Sequence, residues 1–207
     1  MTAPGIDLIV LDAHGVVLND PFARFLERLA AATGQSVVDV RRLWQDEIRT
    51  PAWLGQIDEP ELWRRLTRGG DSGHWRRTLE EAYRPGPAAP HLARWARCAP
   101  LWLLSNHTSE ALRPRLDRLG LSKSFERILV SDALGAAKPD PASFAPIIER
   151  VADPECVLFV DDQMKNVAAA IGLGFTTIHA SSGTDWLACV ERRLSGTPGD
   201  PRHHRSV

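Results

Sequence analysis

The chain has 207 residues, 43% of them hydrophobic and 25% charged, with a formal net charge of −1. That length suits one core domain plus a modest insertion, and the composition is ordinary globular usage, which excludes a disordered or fibrous chain. Local arginine pairs such as Arg41-Arg42 and Arg76-Arg77 are accompanied by acidic residues throughout, so they read as solvated helix faces and no nucleic-acid partner is expected.

Ile6 to Leu11 is nearly continuous and apolar, the pattern of a strand buried on both faces of a parallel sheet, and Asp12 ends it. Gly15 permits a tight turn, Val16 to Leu18 is a short second apolar run, and Asn19-Asp20-Pro21 leads into a helix. From Pro21 to about Tyr83 the period is helical: Phe22, Phe25, Leu26 and Leu29 recur at three and four, as do Val37, Val40, Leu43 and Trp44. Turn signals at Thr33-Gly34, Gly55 to Asp58 and Gly69 to Gly73 divide this stretch into about four helices, an all-helical insertion. Arg84-Pro85-Gly86-Pro87 is a linker, and beyond it strands and helices alternate, which implies right-handed crossovers and a parallel sheet. Strands are expected at Leu101 to Leu104, Arg127 to Val130, Val157 to Val160 and Thr176 to Ile178, with helices beginning near Ser109, Pro141, Gln163 and Asp185. The fold class is therefore α/β, a Rossmann-like parallel sheet of about five strands flanked by helices. Core residues are expected at 1–19 and 85–195, the helical insertion at 20–84, and a flexible tail rich in Gly, Pro and His at 196–207.

No apolar stretch has the length of a membrane span, and Met1 to Asp7 lacks the basic and apolar regions of a signal peptide, so a cytoplasmic location is expected. Cys98, Cys156 and Cys189 are widely spaced without a Cys-x-x-Cys, which argues against disulfides and zinc and for buried or inert thiols.

Polar residues follow the apolar runs at four strand ends: Asp12, Ser105-Asn106, Lys138 beyond the third strand, and Asp161-Asp162. Ligands of open parallel sheets bind outside the carboxyl ends of the strands, so these groups are expected to converge. Individually each has a plain structural reading: Asp12 as a turn or helix cap, one of Asp161 and Asp162 as the cap of the next helix, Lys138 as a solvated loop residue. Lys138 is nevertheless one of three lysines against 22 arginines.

Taken together, Leu11-Asp12-Ala13-His14-Gly15-Val16, Leu103-Leu104-Ser105-Asn106, Ala137-Lys138-Pro139-Asp140, and Phe159-Val160-Asp161-Asp162 with Asn166 resemble the four motifs of the haloacid dehalogenase superfamily, in the subgroup with a helical cap after the first strand. The resemblance spans essentially the whole chain and implies an enzyme, a hydrolase, with Asp12 as covalent nucleophile. A carboxylate can attack phosphorus when a cation relieves its repulsion by the phosphoryl oxygens, and the acyl phosphate formed splits hydrolysis into two steps. Mg²⁺ suits oxygen donors, here Asp12, the His14 carbonyl, and Asp161 or Asp162. Lys138 would neutralise charge, while the Ser105 hydroxyl and Asn106 with its following backbone N–H groups would bind phosphoryl oxygens.

One position departs from the pattern. Phosphatases of the superfamily usually carry a second Asp two residues after the nucleophile, as general acid and base, and here that residue is His14. Imidazole, with a reference pKa of about 6.5, is able to take that role, to grip substrate, or simply to pack. Three readings follow: a Mg²⁺-dependent phosphatase or phosphotransferase of a small phosphorylated metabolite; a metal-independent 2-haloacid dehalogenase-like hydrolase; and a binding or regulatory protein without turnover. The acidic pair Asp161-Asp162 favours the first. For the second, Arg41 or Arg42 would hold a substrate carboxylate. Phosphonate cleavage through a cap lysine is disfavoured, because no lysine lies between Pro21 and Pro100. Substrate-facing residues of the insertion are sought among Arg42, Arg49, Trp53 and His74, while Trp44, Trp53, Trp63 and Trp75 read as packing and His107 as a residue at the start of a helix. Hinges are expected near Asn19 and Arg84 to Pro87. Substrate identity and oligomeric state are not legible.

Overall fold

The structure, a computed structural model, describes residues 5–196, so the tail expected from 196 onward lies almost wholly outside the described residues. Its centre is a five-stranded sheet in the order β3-β2-β1-β4-β5, built from β1 (Leu8–Leu11), β2 (Leu101–Ser105), β3 (Arg127–Val130), β4 (Val157–Asp161) and β5 (Thr176–His179). Every adjacent pair is parallel, as the alternation of strands and helices predicts. Strands β1, β2 and β4 are buried along their whole length, which is why their sequences run apolar rather than alternating.

Successive side chains of each strand point to opposite faces and make two cores. Ile9, Leu11, Leu101, Leu103, Leu158 and Val160 face one way, and pack with Leu92 and Trp95 of α6 (Leu92–Trp95), Leu112 and Leu116 of α7 (Ser109–Arg118) and Val190 of α11 (Trp186–Leu194). Leu8, Val10, Trp102, Leu104, Val157 and Phe159 face the other way, against Phe144, Ile147 of α9 (Ala145–Ile148) and Ala170 of α10 (Met164–Gly172). Each such buried aliphatic side chain contributes about 1.5–3 kcal/mol, so the sheet is a rigid base for whatever its ends carry. From β1 the chain winds outward through β2 and β3, then returns to the other side of β1 for β4 and β5. The reversal places the ends of β1 and β4 at the topological switch point.

The helical stretch between β1 and β2 contains α1 (Phe22–Thr33), α2 (Val37–Arg42), a π-helical segment (Leu43–Ile48), α3 (Arg49–Trp53), α4 (Glu59–Leu66) and α5 (Ser72–Glu80). Ser36, Asp58 and Asp71 accept hydrogen bonds from Val38 N, Glu61 N and His74 N, satisfying donors that the first turns of α2, α4 and α5 leave unpaired. Phe25, Leu29, Val40, Ile48, Trp63, Leu66 and Leu79 form a separate core for these helices. Two strands of chain join them to the sheet, held side by side by a bridge between Leu18 and Pro85 and by the Asn19 side chain, which donates to Ala82 O and accepts from Arg84 N. A Cβ on Gly86 would lie 2.7 Å from the Leu18 carbonyl carbon, so the two connections touch only because that residue is glycine.

Some local expectations are corrected. The helix expected at Pro141 begins as a 3₁₀ turn over Pro141–Phe144 before α9, and the short helices α6 and α8 (Ser131–Leu134) carry too few residues for a periodic signal. The cysteines are free, as expected, but none is buried: Cys98 is exposed and the others are half-buried.

Candidate active site

The pairing of β1 with β4 sets Leu11 opposite Val160, and the Asp12 N–H donates to the Val160 carbonyl at 2.9 Å. Asp12 and Asp161 are therefore brought together at the switch point by sheet register alone. Lys138 reaches them from beyond α8. Its ammonium donates to Asp12 Oδ1 at 2.8 Å, Asp161 Oδ2 at 2.6 Å and the Leu104 carbonyl at 2.8 Å, and the residue is 3% exposed. All three ammonium donors are thereby satisfied, the condition for burying a charge without a large penalty. Burial pulls the Lys138 ammonium down in pKa, but Asp12 and Asp161 outweigh it and leave the group raised, so it stays charged.

Asn106 explains how Lys138 is held. Its amide donates to Lys138 O at 2.7 Å and accepts from Lys138 N at 2.8 Å, a reciprocal pair that clamps the lysine backbone. The Asn106 side chain is thus committed to the Lys138 backbone. Ser105 differs: its hydroxyl is buried, lines the cavity and has no hydrogen-bond partner among the described residues. A buried donor without an acceptor at a cavity wall is a position waiting for a ligand oxygen.

Asp161 and Asp162 differ in burial and in hydrogen-bond partners. Asp161, fully buried, accepts from Gln163 N at the start of α10, from Asn166 Nδ2 and from Lys138. Asp162 is half-buried, and among the described residues its side chain accepts only from Gln163 Nε2, through Oδ2. Carboxylate oxygens of Asp12, Asp161 and Asp162 lie within 4.8 Å of one another. Burial pushes the Asp12 carboxyl up to about 7; Lys138 pulls against this rise, and the charges of Asp161 and Asp162 add to it. Three acidic groups facing one lysine are short of positive charge.

His14 sits on the other side of Asp12, in a cluster the sequence did not reveal. Arg115 of α7 is 2% exposed, and its Nη1 lies 3.1 Å from both His14 Nε2 and His107 Nε2. A guanidinium has no lone pair to offer, so both imidazole nitrogens accept, and His14 carries its proton on Nδ1. Burial lowers the His14 pKa well below the ordinary value, and His107, Arg115 and Lys138 lower it further; His107 falls to about 3 for the same reasons of burial and Arg115. His14 is accordingly a neutral hydrogen-bonding group whose Nε2 is engaged, a poor general acid. The remaining Arg115 donors grip Glu80 at the end of α5, at 3.1 and 2.5 Å, and its guanidinium carbon stands 3.6 Å above the Tyr83 ring centroid. The one sequence signal for Arg115 is its phase: Ala111, Leu112, Arg115 and Leu116 form the buried stripe of α7.

These groups open on a cavity of about 270 Å³ between the sheet ends and the helical stretch. Asp12, His14, Ser105, Asn106, Lys138 and Asp162 line its floor, and Phe22, Trp44, Arg49, Trp53, Glu59 and Trp63 line its far wall. Of the residues sought as substrate-facing, Arg49 and Trp53 are there, while Arg42, His74 and Arg41 are not. Three tryptophans read as packing, Trp44, Trp53 and Trp63, border the cavity as well.

A parallel α/β sheet with an acidic cluster and a buried lysine at its switch point is the arrangement of a hydrolase with an α/β core. The chain belongs to the haloacid dehalogenase-like hydrolase family, whose signature matches residues 6–174. It is similar to a phosphoserine phosphatase from Thermus thermophilus, 29% identical over 171 residues, covering 74% of this chain and 68% of that one. It is also similar to phosphoglycolate phosphatase 1 of Pseudomonas aeruginosa, 34% identical over 73 residues; that match covers 35% of this chain and only 27% of the relative's length. A haloacid dehalogenase family enzyme from Bacteroides thetaiotaomicron, solved in complex with magnesium and inorganic phosphate, shares the fold with a TM-score of 0.76 at 22% identity, covering 89% of this chain and 99% of that one. No helix among the described residues is long and apolar enough to cross a membrane.

Proposed function

We propose that this protein is a Mg²⁺-dependent phosphatase of a small phosphorylated metabolite, that Asp12 is its nucleophile, and that the helices between residues 20 and 84 act as a cap over the site. The observation that carries the reading is the charge balance at the switch point: Asp12, Asp161 and Asp162 within 4.8 Å of one another, answered by Lys138 alone. The donor set fits Mg²⁺, being all hard oxygens, and Asn166 Oδ1 adds a buried acceptor with no partner among the described residues. Asp12 and Asp162 keep free carboxylate oxygens to hold the ion, with the His14 carbonyl as a further oxygen, whereas Asp161 is largely spent on Lys138, Asn166 and Gln163. When bound, Mg²⁺ supplies the positive charge that lets an anionic nucleophile approach an anionic phosphoryl group.

Asp12 Oδ1 accepts from Lys138, and Oδ2 has no hydrogen-bond partner among the described residues; with Oδ2 left to the ion, Oδ1, its charge balanced by Lys138, makes the attack. Its lone pair forms the bond to phosphorus as the ester P–O bond breaks, the electron pair leaving with the alcohol oxygen, which takes a proton from solvent. Water then attacks phosphorus, the Asp12–phosphorus bond breaks, and the carboxylate and inorganic phosphate are released. Lys138 balances the charge on the nucleophile and on the transferring group, and the Ser105 hydroxyl donates to a phosphoryl oxygen. His14, its proton on Nδ1, contributes a hydrogen bond rather than a proton. The two arginines expected to hold a haloacid carboxylate are elsewhere: Arg41 pairs with Glu27, and neither Arg41 nor Arg42 lines the cavity.

Phosphate release from a panel of monoesters, in Mg²⁺ and in chelator, tests the proposal. Turnover is expected with Mg²⁺ alone, with an acid-stable mass increment on Asp12 in rapidly quenched samples. Hydrolysis that survives Asp12→Asn, or halide release from 2-haloacids in chelator, would sink it.

A further inference from the structure

The far wall of the cavity carries a cation that nothing among the described residues answers. Among the cations that line the cavity, Lys138 and Arg115 are bonded to protein groups, and Lys165 is exposed on the core side. The Arg49 side chain makes no ion pair or hydrogen bond among the described residues, and its Nε is buried without a partner. Its guanidinium carbon lies 5.2 Å from the Trp53 ring centroid, which supports the charge without satisfying its donors. Glu59, the carboxylate in the same wall, does not compete for it: one oxygen accepts from Trp63 Nε1 and the other from Arg76.

The backbone places Arg49 there deliberately in the geometric sense. Within the π-helical segment the Arg49 N–H donates to Trp44 O, five residues back, so these two side chains stand on one face. Four residues further on, at helical spacing, comes Trp53. Trp44, Arg49 and Trp53 all border the cavity, while Ile48 is fully buried in the core of the helices.

We propose that Arg49 is a specificity-determining residue that receives a second anionic group of the substrate, a carboxylate or a second phosphate, remote from the phosphoryl group at Asp12. The carbon body of the substrate lies against Trp44, Trp53 and Trp63. This rests on the phosphatase reading above.

Two matched pairs of compounds test it: a phosphorylated hydroxy acid with its neutral primary amide, and a diol bisphosphate with the corresponding monophosphate. kcat/KM is measured in Mg²⁺ for the wild type, Arg49→Gln, which keeps a polar group beside Trp53, and Arg49→Lys. The wild type should prefer the anionic member of at least one pair by about 10- to 100-fold, and the pair that shows it identifies carboxylate or phosphate as the group received. In Arg49→Gln that ratio falls toward one, chiefly through KM, and Arg49→Lys restores part of it. A ratio equal in wild type and Arg49→Gln, or no preference in either pair, overturns the proposal. Calorimetric binding of the same compounds in Mg²⁺ separates the two readings. If nothing is hydrolysed but the binding ratio depends on Arg49, the phosphatase reading fails and the anion site stands. If phosphate is released but neither ratio responds to Arg49, or if neither anionic compound binds or reacts, the anion site fails.

Discussion

Replacing Lys138 by Met removes the buried cation while keeping an unbranched stem of similar length, and its effect can be worked from the structure. The ammonium has three partners, two of them carboxylates at 2.8 and 2.6 Å, and the residue is 3% exposed. Breaking a buried pair by removing one partner costs about 3–5 kcal/mol, because the other charge is left uncompensated. Here the loss falls at the lower end. Asp12 already titrates near 7, and without the lysine it takes up a proton at neutral pH instead of remaining charged. A loss of about 3 kcal/mol in a chain of this size lowers Tm by about 6–12 °C. The second half of the argument concerns Mg²⁺. Lys138 and a divalent ion compete for the same carboxylates, so the variant should gain more from the metal than the wild type does. Thermal unfolding of both proteins in chelator and in Mg²⁺ reads both effects. A variant as stable as wild type in chelator, or an equal Mg²⁺-induced rise in Tm for the two proteins, would refute the assignment of Lys138 as the counter-charge of a metal-binding acidic cluster.

Gly15 has a φ of +77°, and a Cβ there would lie 2.7 Å from Asp162 Oδ2; Gly15→Ala should displace that carboxylate and weaken Mg²⁺ binding about 10- to 100-fold by calorimetry, and an unchanged affinity would remove Asp162 from the ligand set. Asn19→Ala deletes the hydrogen bonds to Ala82 O and from Arg84 N, so urea denaturation should show a loss of about 1–2 kcal/mol together with faster amide exchange at Arg84. Arg115→Met should cost about 3 kcal/mol, and a double-mutant cycle with Glu80→Gln should be non-additive by more than about 1 kcal/mol; additive losses would mean the guanidinium and Glu80 do not act as a pair.

Much of the chemical end of the site is legible because it depends on short-range features. Asp12, Ser105 and Asp161 each sit at or just after the end of an apolar run, and parallel register then brings them together without any further information. The order of strands is less accessible from sequence, yet the residue types at their ends imply convergence whatever the order. Asn106 shows the limit. Its position beside Ser105 is visible, but whether its amide meets a ligand or the Lys138 backbone depends on a loop 32 residues away in the chain. The Arg115 cluster fails to appear for the same reason. Its members, His14, Glu80, Tyr83, His107 and Arg115, are drawn from β1's exit, the end of α5 and the residues after it, the turn before α7, and α7 itself, and no local pattern ties them together.

Arg49 is among the residues sought as substrate-facing, but what puts it on the cavity wall, a change of helical period, is not legible in the sequence. At 3.6 residues per turn Trp44 shares a face with Ile48, which places Arg49 toward solvent beside Arg42 and Gln45. The π turn adds one residue, so Ile48 takes the buried position and Arg49 moves onto the face of Trp44. The two sides of the cavity thus rest on separate structural devices: sheet register for the charges around Asp12, and a single inserted residue for the opposing wall. Arg115 joins them. The guanidinium that holds Glu80 at the end of α5 also donates to His14 Nε2, so any displacement of the helices that pulls Glu80 away changes the position of the cation that fixes the His14 tautomer. The end of α5 and the hydrogen-bonding state of His14 beside Asp12 are therefore tied to the same side chain.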